Sequence, residues 1–319
     1  MTVQAYSAAT DCRPQETLYA CFDFRLRSTI ALPEMATAAS GDAERDLVDI
    51  RIGEVPLTLP DAFDTGNGLQ VAGATVLLSV EGVARYLIRE GREIVVAPAE
   101  GCSLRNMRLF LLGSALGILC HQRGLLLLHA NAFVVDGRAV AFAGPSGAGK
   151  STLAAYFQQA GYDVLCDDVC GISFDRDGRP LAWPGLPRLK LWGDAATTFG
   201  FDRASLDCAI EGMDKYHVPL NSVPAMRAVP FDRLYLLERA APGDGGRIER
   251  LRGAQAMEAV ASHTYRGQYL DPMGLGARHF TQCAALSRGA QIHTASREWG
   301  YEVFEGEAGR PERHIRDLA

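Results

Sequence analysis

The chain lacks a long hydrophobic run, an excess of basic residues and any closely spaced cysteine pair, and each absence excludes a class of function. The longest uncharged apolar stretch, Leu109 to Cys120, has 12 residues, short of the roughly 20 that a membrane-spanning helix needs. Lys and Arg number 32 against 38 Asp and Glu, a net charge of −6, so neither nucleic acid nor a membrane surface is an expected partner. The eight cysteines, at 12, 21, 102, 120, 166, 170, 208 and 283, form no Cys-x-x-Cys pair. They read as buried free thiols of a reducing compartment rather than as zinc ligands or a disulfide framework. Met1-Thr2-Val3-Gln4-Ala5-Tyr6-Ser7 offers no basic stretch before an apolar core, so no secretory signal is expected and the location read is cytoplasmic. Repeats and low-complexity segments are absent. With 48% hydrophobic and 22% charged residues in 319, the chain has ordinary globular proportions and room for one large domain or two modest ones.

Two textures divide it. Residues 1–101 read as a small β-rich N-terminal domain. Tyr19 to Phe24 and Leu47 to Ile52 alternate apolar and polar as half-buried strands do. Leu69-Gln70-Val71 leads through the turn Ala72-Gly73-Ala74 into Thr75 to Val80. Arg89-Glu90-Gly91-Arg92 turns Ala84 to Ile88 back into Glu93 to Ala97. From Leu104 to Cys120 the apolar residues follow a helical period, and this helix is taken to open a second domain, residues 102–319.

The second domain carries the chemistry. Residues 144 to 151 read Gly-Pro-Ser-Gly-Ala-Gly-Lys-Ser, a complete G-x-x-x-x-G-K-S phosphate-binding loop. Gly144, Gly147 and Gly149 let successive backbone N–H groups, including those of Ser146 and Ala148, curl toward a phosphate. Lys150 then reaches the β- and γ-phosphates, Ser151 takes a Mg²⁺ position and Thr152 follows at the helix start. The context is the required one. Arg138 to Ala143 is a buried-type strand, and Ser151 to Ala160 favours a helix that stops at Gly161.

Leu125 to Val135 is also strand-like, and Asp136-Gly137 turns it into the strand feeding the loop. His129 is thus expected on a strand antiparallel to that one, where a lone histidine is ordinarily a core residue. After the loop helix, Tyr162 to Cys166 is a strand ending in Asp167-Asp168. Adjacent carboxylates there stand where Mg²⁺ and a general base are needed, and a cation between them and a triphosphate relieves the repulsion. Arg188 and Lys190 can stabilise charge on a γ-phosphate or lie on a basic loop against solvent. Lys215 belongs either to a loop returning to the nucleotide or to a surface turn, after an acidic, flexible-looking stretch from Asp202 to Asp214. Phe231 to Glu238 reads as a core strand and Met257 to Arg266 as an amphipathic helix, neither with a chemical role.

The array of Leu128-His129-Ala130, Gly144 to Ser151 and Leu165-Cys166-Asp167-Asp168-Val169 resembles the catalytic domain of the HPr kinase/phosphorylase family. It is similar, too, to HPr-kinase-related proteins encoded with peptide-modification genes, some of which phosphorylate lasso-peptide precursors. That second similarity covers most of the chain, including Arg25 to Glu34 and Pro187 to Trp192; from Glu298 onward it is poor. The resemblance implies an α/β (α+β) fold, a P-loop kinase domain related to phosphoenolpyruvate carboxykinase with a mixed sheet. It further implies ATP and Mg²⁺ as cofactors, Asp167 as the catalytic base, His129 beside it, Asp168 and Ser151 on the metal, and catalytic parts for Lys150 and Arg188. Trp183-Pro184-Gly185-Leu186-Pro187-Arg188 does not reproduce the glycine-rich signature of the HPr kinases, which speaks against phosphorolysis and against HPr as substrate. The resulting reading is an ATP-dependent serine kinase acting on a peptide or protein, a lasso-type precursor foremost. A nucleotide-binding regulator and a small-metabolite kinase are the alternatives, and the N-terminal domain is left to recognise a peptide or to form a homo-oligomer.

Overall fold

A computed structural model describes residues 16–38, 46–221, 226–241, 243–300 and 302–317; the reading of residues 1–7 and the thiol of Cys12 lie outside them. The first eight strands are β1 (Thr17–Cys21), β2 (Phe24–Ser28), β3 (Leu47–Ile52), β4 (Phe63–Asp64), β5 (Leu69–Ala72), β6 (Thr75–Val80), β7 (Ala84–Arg89) and β8 (Glu93–Pro98). They form one sheet in the order β1-β2-β3-β8-β7-β6-β5-β4, with β3 parallel to both β2 and β8 and the other neighbours antiparallel. The expected strand from Tyr19 to Phe24 is instead a hairpin. Phe22 adopts φ 47° where the chain reverses, and its ring joins the buried apolar cluster.

The helical segment that follows is α1 (Leu104–Phe110), a π-helical turn over Leu111–Ala115, and α2 (Leu116–Gln122). Ser103 caps α1 by accepting from the Asn106 N–H. Met107, Leu111, Leu116 and Ile118 bury in the same cluster as Leu26, Ile50, Tyr86 and Val96, so this helix packs on the N-terminal sheet. The Tyr86 hydroxyl donates to the Met107 carbonyl at 2.8 Å and ties the two together.

Next come β9 (Leu126–Leu128), β10 (Ala130–Val135), β11 (Arg138–Ala143), α3 (Lys150–Gln159), β12 (Asp163–Cys166), β13 (Cys170–Phe174), β14 (Pro180–Trp183) and β15 (Arg188–Trp192). The chain continues through α4 (Gly193–Thr198), β16 (Asp207–Cys208), β17 (Lys215–Pro219), β18 (Val229–Arg239), β19 (Arg247–Leu251), α5 (Gly253–Ser262), α6 (Gly276–Gly289), β20 (Gln291–Arg297) and α7 (Phe304–Arg316). Nine strands make a mixed sheet. Strand β18 runs parallel to β11 and β20 and antiparallel to β14, while β10 is antiparallel to both β11 and β12. Strands β15, β17 and β16 form a third, antiparallel sheet, so part of the stretch expected to be flexible is ordered.

The Asp136-Gly137 turn has φ of 47° and 74°, the left-handed pair a tight hairpin needs. Behind the phosphate loop the rings of Phe133, Phe142, Phe157 and Tyr235 stack, with Phe133 and Phe157 4.0 Å apart. This aromatic stack seats α3 on the sheet, and α7 closes its other side through Phe304 against Tyr156. Among the described residues no helix is long and apolar enough to cross a membrane.

Candidate functional site

Strand β11 ends at Ala143, the loop follows, and α3 begins at Lys150 with Gly149 as its N-cap at φ 81°. Gly147 has φ 82°. Gly149 is required twice over, because a Cβ there would also strike the Arg297 guanidinium. Arg297, buried on β20, donates from Nη2 to the Ala148 carbonyl at 2.7 Å and braces the loop from behind. From β10, the buried Asn131 amide donates to the Lys150 carbonyl. The Lys150 ammonium is held by the carbonyls of Gly144, at 2.7 Å, and Pro145, at 3.1 Å. Burial lowers its pKa, and Asp168 and Asp167 oppose that. Ser146, Gly147, Gly149, Lys150, Ser151 and Thr152 line a groove of about 520 Å³; Gly144 opens on a neighbouring depression beside His129. Ala148 is buried.

The carboxylates leave β12 at Cys166 and part company at once. Asp167 is buried and accepts from the Ser151 hydroxyl at 3.0 Å and the Lys190 N–H at 2.8 Å. Burial, then the neighbouring Asp168, raises its pKa. Asp168 has φ 73°, a conformation that costs a non-glycine residue energy and concentrates at functional sites. The turn aims its carboxylate the other way. Its Oδ2 accepts from Lys190 Nζ at 2.7 Å, and its Oδ1 lies 3.4 Å from His129 Nδ1. Burial alone would push the Asp168 pKa up, but the Lys190 ammonium outweighs it and holds the carboxyl at about 2. His129 Nδ1 also meets the Asp168 backbone carbonyl at 2.9 Å. Its own pKa is lowered by burial and by Lys150.

Strand β15 runs past both carboxylates. Leu189 and Leu191 bury in a cluster with Ala154 and Ala155 of α3, which leaves Arg188, Lys190 and Trp192 to the opposite face. Lys190 and Trp192 reach the phosphate-loop groove, whereas Arg188 does not. Arg188 lines a second, smaller cavity of about 40 Å³ together with Asp167, Asp168, Phe22, Met35 and Leu116. Its Nη1 lies 3.9 Å from Glu34 and 3.3 Å from His217 Nδ1. Burial brings its pKa down to about 10, and burial together with the Arg188 charge brings that of His217 to about 3. Glu34 also accepts from Arg108 Nε at 2.8 Å, so a residue of the N-terminal segment reaches the site.

The expected residues lie close together, but the partners they meet differ from those expected. His129 meets Asp168, not Asp167. Ser151 meets Asp167, not Asp168. The two aspartates exchange partners because the chain leaves β12 at Cys166 and Asp168 turns at φ 73°, which directs its carboxylate away from that of Asp167. Arg188 is displaced from the groove by two residues of β15, about 7 Å, and Lys190 occupies the place beside the carboxylates. His129 itself lies in the break between β9 and β10 rather than within a strand, since β9 pairs with β13 while β10 pairs with β11 and β12. Lys215 lines the groove, its Nζ 5.4 Å from the Trp192 ring centre. Sequence reasoning missed Asn131, Arg297 and Glu34. The first two carry no local signal, while Glu34 stood in the N-terminal segment that shares the resemblance.

No family model and no curated protein match the chain. Among solved structures, it is similar to the Hpr(Ser) kinase/phosphatase from Coxiella burnetii. The identity is 13%, over 60% of this chain and 99% of that one, with a TM-score of 0.30, too low to carry an argument. The functional reading rests on the site.

Proposed function

We propose that the chain is an ATP- and Mg²⁺-dependent kinase that phosphorylates a hydroxyl, a serine of a peptide or protein first among acceptors. The observation that carries this reading is the position of Asp168, which borders both the phosphate-loop groove and the small apolar cavity. A nucleotide in the groove and an acceptor in the cavity would meet at that carboxylate. A protein that only bound nucleotide would need neither the cavity nor the His129–Asp168–Lys190 cluster.

In this mechanism the loop N–H groups and the positive end of α3 cradle the phosphates. Lys150 exchanges its two loop carbonyls for phosphate oxygens. The Ser151 hydroxyl and Asp167 carboxylate are hard oxygen donors side by side, the set Mg²⁺ takes while keeping water and phosphate as its other ligands. That pair would hold the ion, whose bound form supplies charge neutralisation at the β- and γ-oxygens. Asp168 accepts the acceptor's hydroxyl proton as the oxygen forms its bond to the γ-phosphorus and the bond to the β-bridging oxygen breaks. Lys190 neutralises charge between the carboxylates and the transferring group, and His129 positions the Asp168 turn. Transfer of this kind demands positioning more than a strong base.

One observation favours a second reading. The cavity's 40 Å³ is room for only a few water-sized groups, so a compact alcohol fits as well as a serine side chain. Incubation with γ-labelled ATP separates the two: label should enter serine-bearing peptides, lasso-type precursors included, in preference to free serine and small alcohols. Equal or better labelling of the small alcohols replaces the peptide reading with a metabolite kinase, and labelling of neither leaves a nucleotide-binding regulator.

A further inference from the structure

The groove beside the phosphate loop has a feature that phosphate binding does not use. Trp192, at the end of β15, is 46% exposed, yet it lines the groove with Thr152, Asp194, Ile210 and Lys215. A half-exposed indole bordering the phosphate-loop groove offers a flat, rigid π-face to whatever occupies the groove. Its neighbours give it a direction. Lys190, two residues earlier on the same face, marks the transfer end by its bond to Asp168, so Trp192 stands about 7 Å further along the strand. Strand pairing sets Lys215 opposite Trp192, with its ammonium toward the ring. The pairing and the buried Leu191 fix the backbone from which the indole projects.

We propose that Trp192 is the platform on which the nucleobase stacks, with Lys215 beside it toward the ribose and α-phosphate. The proposal rests on the nucleotide reading of the loop. It assigns the two ends of the groove: terminal phosphate at Asp168 and Lys190, base at Trp192 and Ile210. An aromatic platform engages any base through its π-face and so contributes affinity with little choice between purines.

Calorimetric titration of wild type, Trp192→Ala and Trp192→Phe with ADP and with inorganic tripolyphosphate, all with Mg²⁺, tests it. Trp192→Ala should raise the Kd for ADP by roughly 10-fold or more, the scale of a lost base–aromatic stack. Tripolyphosphate, which has no base, should bind wild type and Trp192→Ala alike, and Trp192→Phe should keep most of the ADP affinity. ADP should also quench tryptophan emission where tripolyphosphate does not, and Trp192→Ala should lose that quench. Equal weakening for both ligands would make Trp192 a structural residue, and unchanged ADP affinity would place the base elsewhere; either overturns the proposal. Wild type binding neither ligand is a different result, removing the phosphate-loop reading and the platform together.

Discussion

The phosphate-loop groove and the small cavity on the far side of the carboxylates both draw walls from distant segments, but only the groove has a contiguous floor. The groove's floor is one short stretch, Ser146 to Thr152 apart from the buried Ala148, with the N-terminus of one helix. The cavity takes its walls from the β1–β2 hairpin, α1 to α2, the Asp167-Asp168 turn and the residues leading into β15, segments separated by up to about half the chain. A phosphate asks for the same N–H cradle in any protein, so a contiguous motif can supply it. An acceptor pocket, the role proposed for the cavity, is particular to one enzyme and is made by long-range packing.

The largest expected effect tests where the two sides meet. Asp168→Asn removes the proposed proton acceptor and should lower turnover by roughly 10²-fold or more, with little change in nucleotide affinity. Asp167→Asn should instead raise the Mg²⁺ concentration needed for half-maximal rate by roughly 10-fold or more. Steady-state assays across a Mg²⁺ series distinguish them. If the two variants exchange behaviours, the base returns to Asp167, the assignment its burial-raised pKa favours.

A smaller effect concerns the Asp168–Lys190 pair. The folded pKa of Asp168 is depressed to about 2 from 3.8, so its contribution to stability is complete above about pH 4 and is lost as pH falls toward 2. Lys190→Met should therefore cost on the order of 2 kcal/mol or more at pH 7, since the lysine also offsets the burial that raises the Asp168 pKa, and the deficit should shrink below pH 4. Urea denaturation at both pH values checks this; a deficit independent of pH would mean lost packing rather than lost charge.

The smallest effect addresses the N-terminal contribution. Glu34→Gln weakens the contacts to Arg108 and Arg188 without touching the groove. It should raise the KM for the acceptor by roughly 5-fold, on the scale of one ordinary hydrogen bond because the amide keeps part of the contact, and leave ADP affinity as it was. A change in ADP affinity instead would mean that the N-terminal segment supports the nucleotide side.

Local elements were largely legible. The Asp136-Gly137 hairpin, the strand into the loop, the helix stopping before Gly161 and the strand ending at Asp167-Asp168 all follow from residues close in sequence. Where reading along the chain went astray, tertiary contacts had overridden it. Tyr19 to Phe24 alternates like one strand, but the chain reverses at Phe22, whose ring joins the core. Leu125 to Val135 is one apolar run, yet it serves two sets of strand partners and must break at His129. Leu104 to Cys120 has a helical period, but the π turn at Leu111–Ala115 shifts its register on the N-terminal sheet.

The conformation of the loop from Gly144 to Ser151 is written in its own residues. Its glycines, lysine and serine act through backbone conformation and helix polarity, both of which are local. Only the tertiary structure decided which aspartate faces Ser151 and which faces His129, that Lys190 rather than Arg188 sits beside them, and that Asn131 and Arg297 brace the loop. Those relations depend on which faces of β10, β12, β15 and β20 meet in space, and a side chain's partner across a sheet leaves no mark in the order of residues along it.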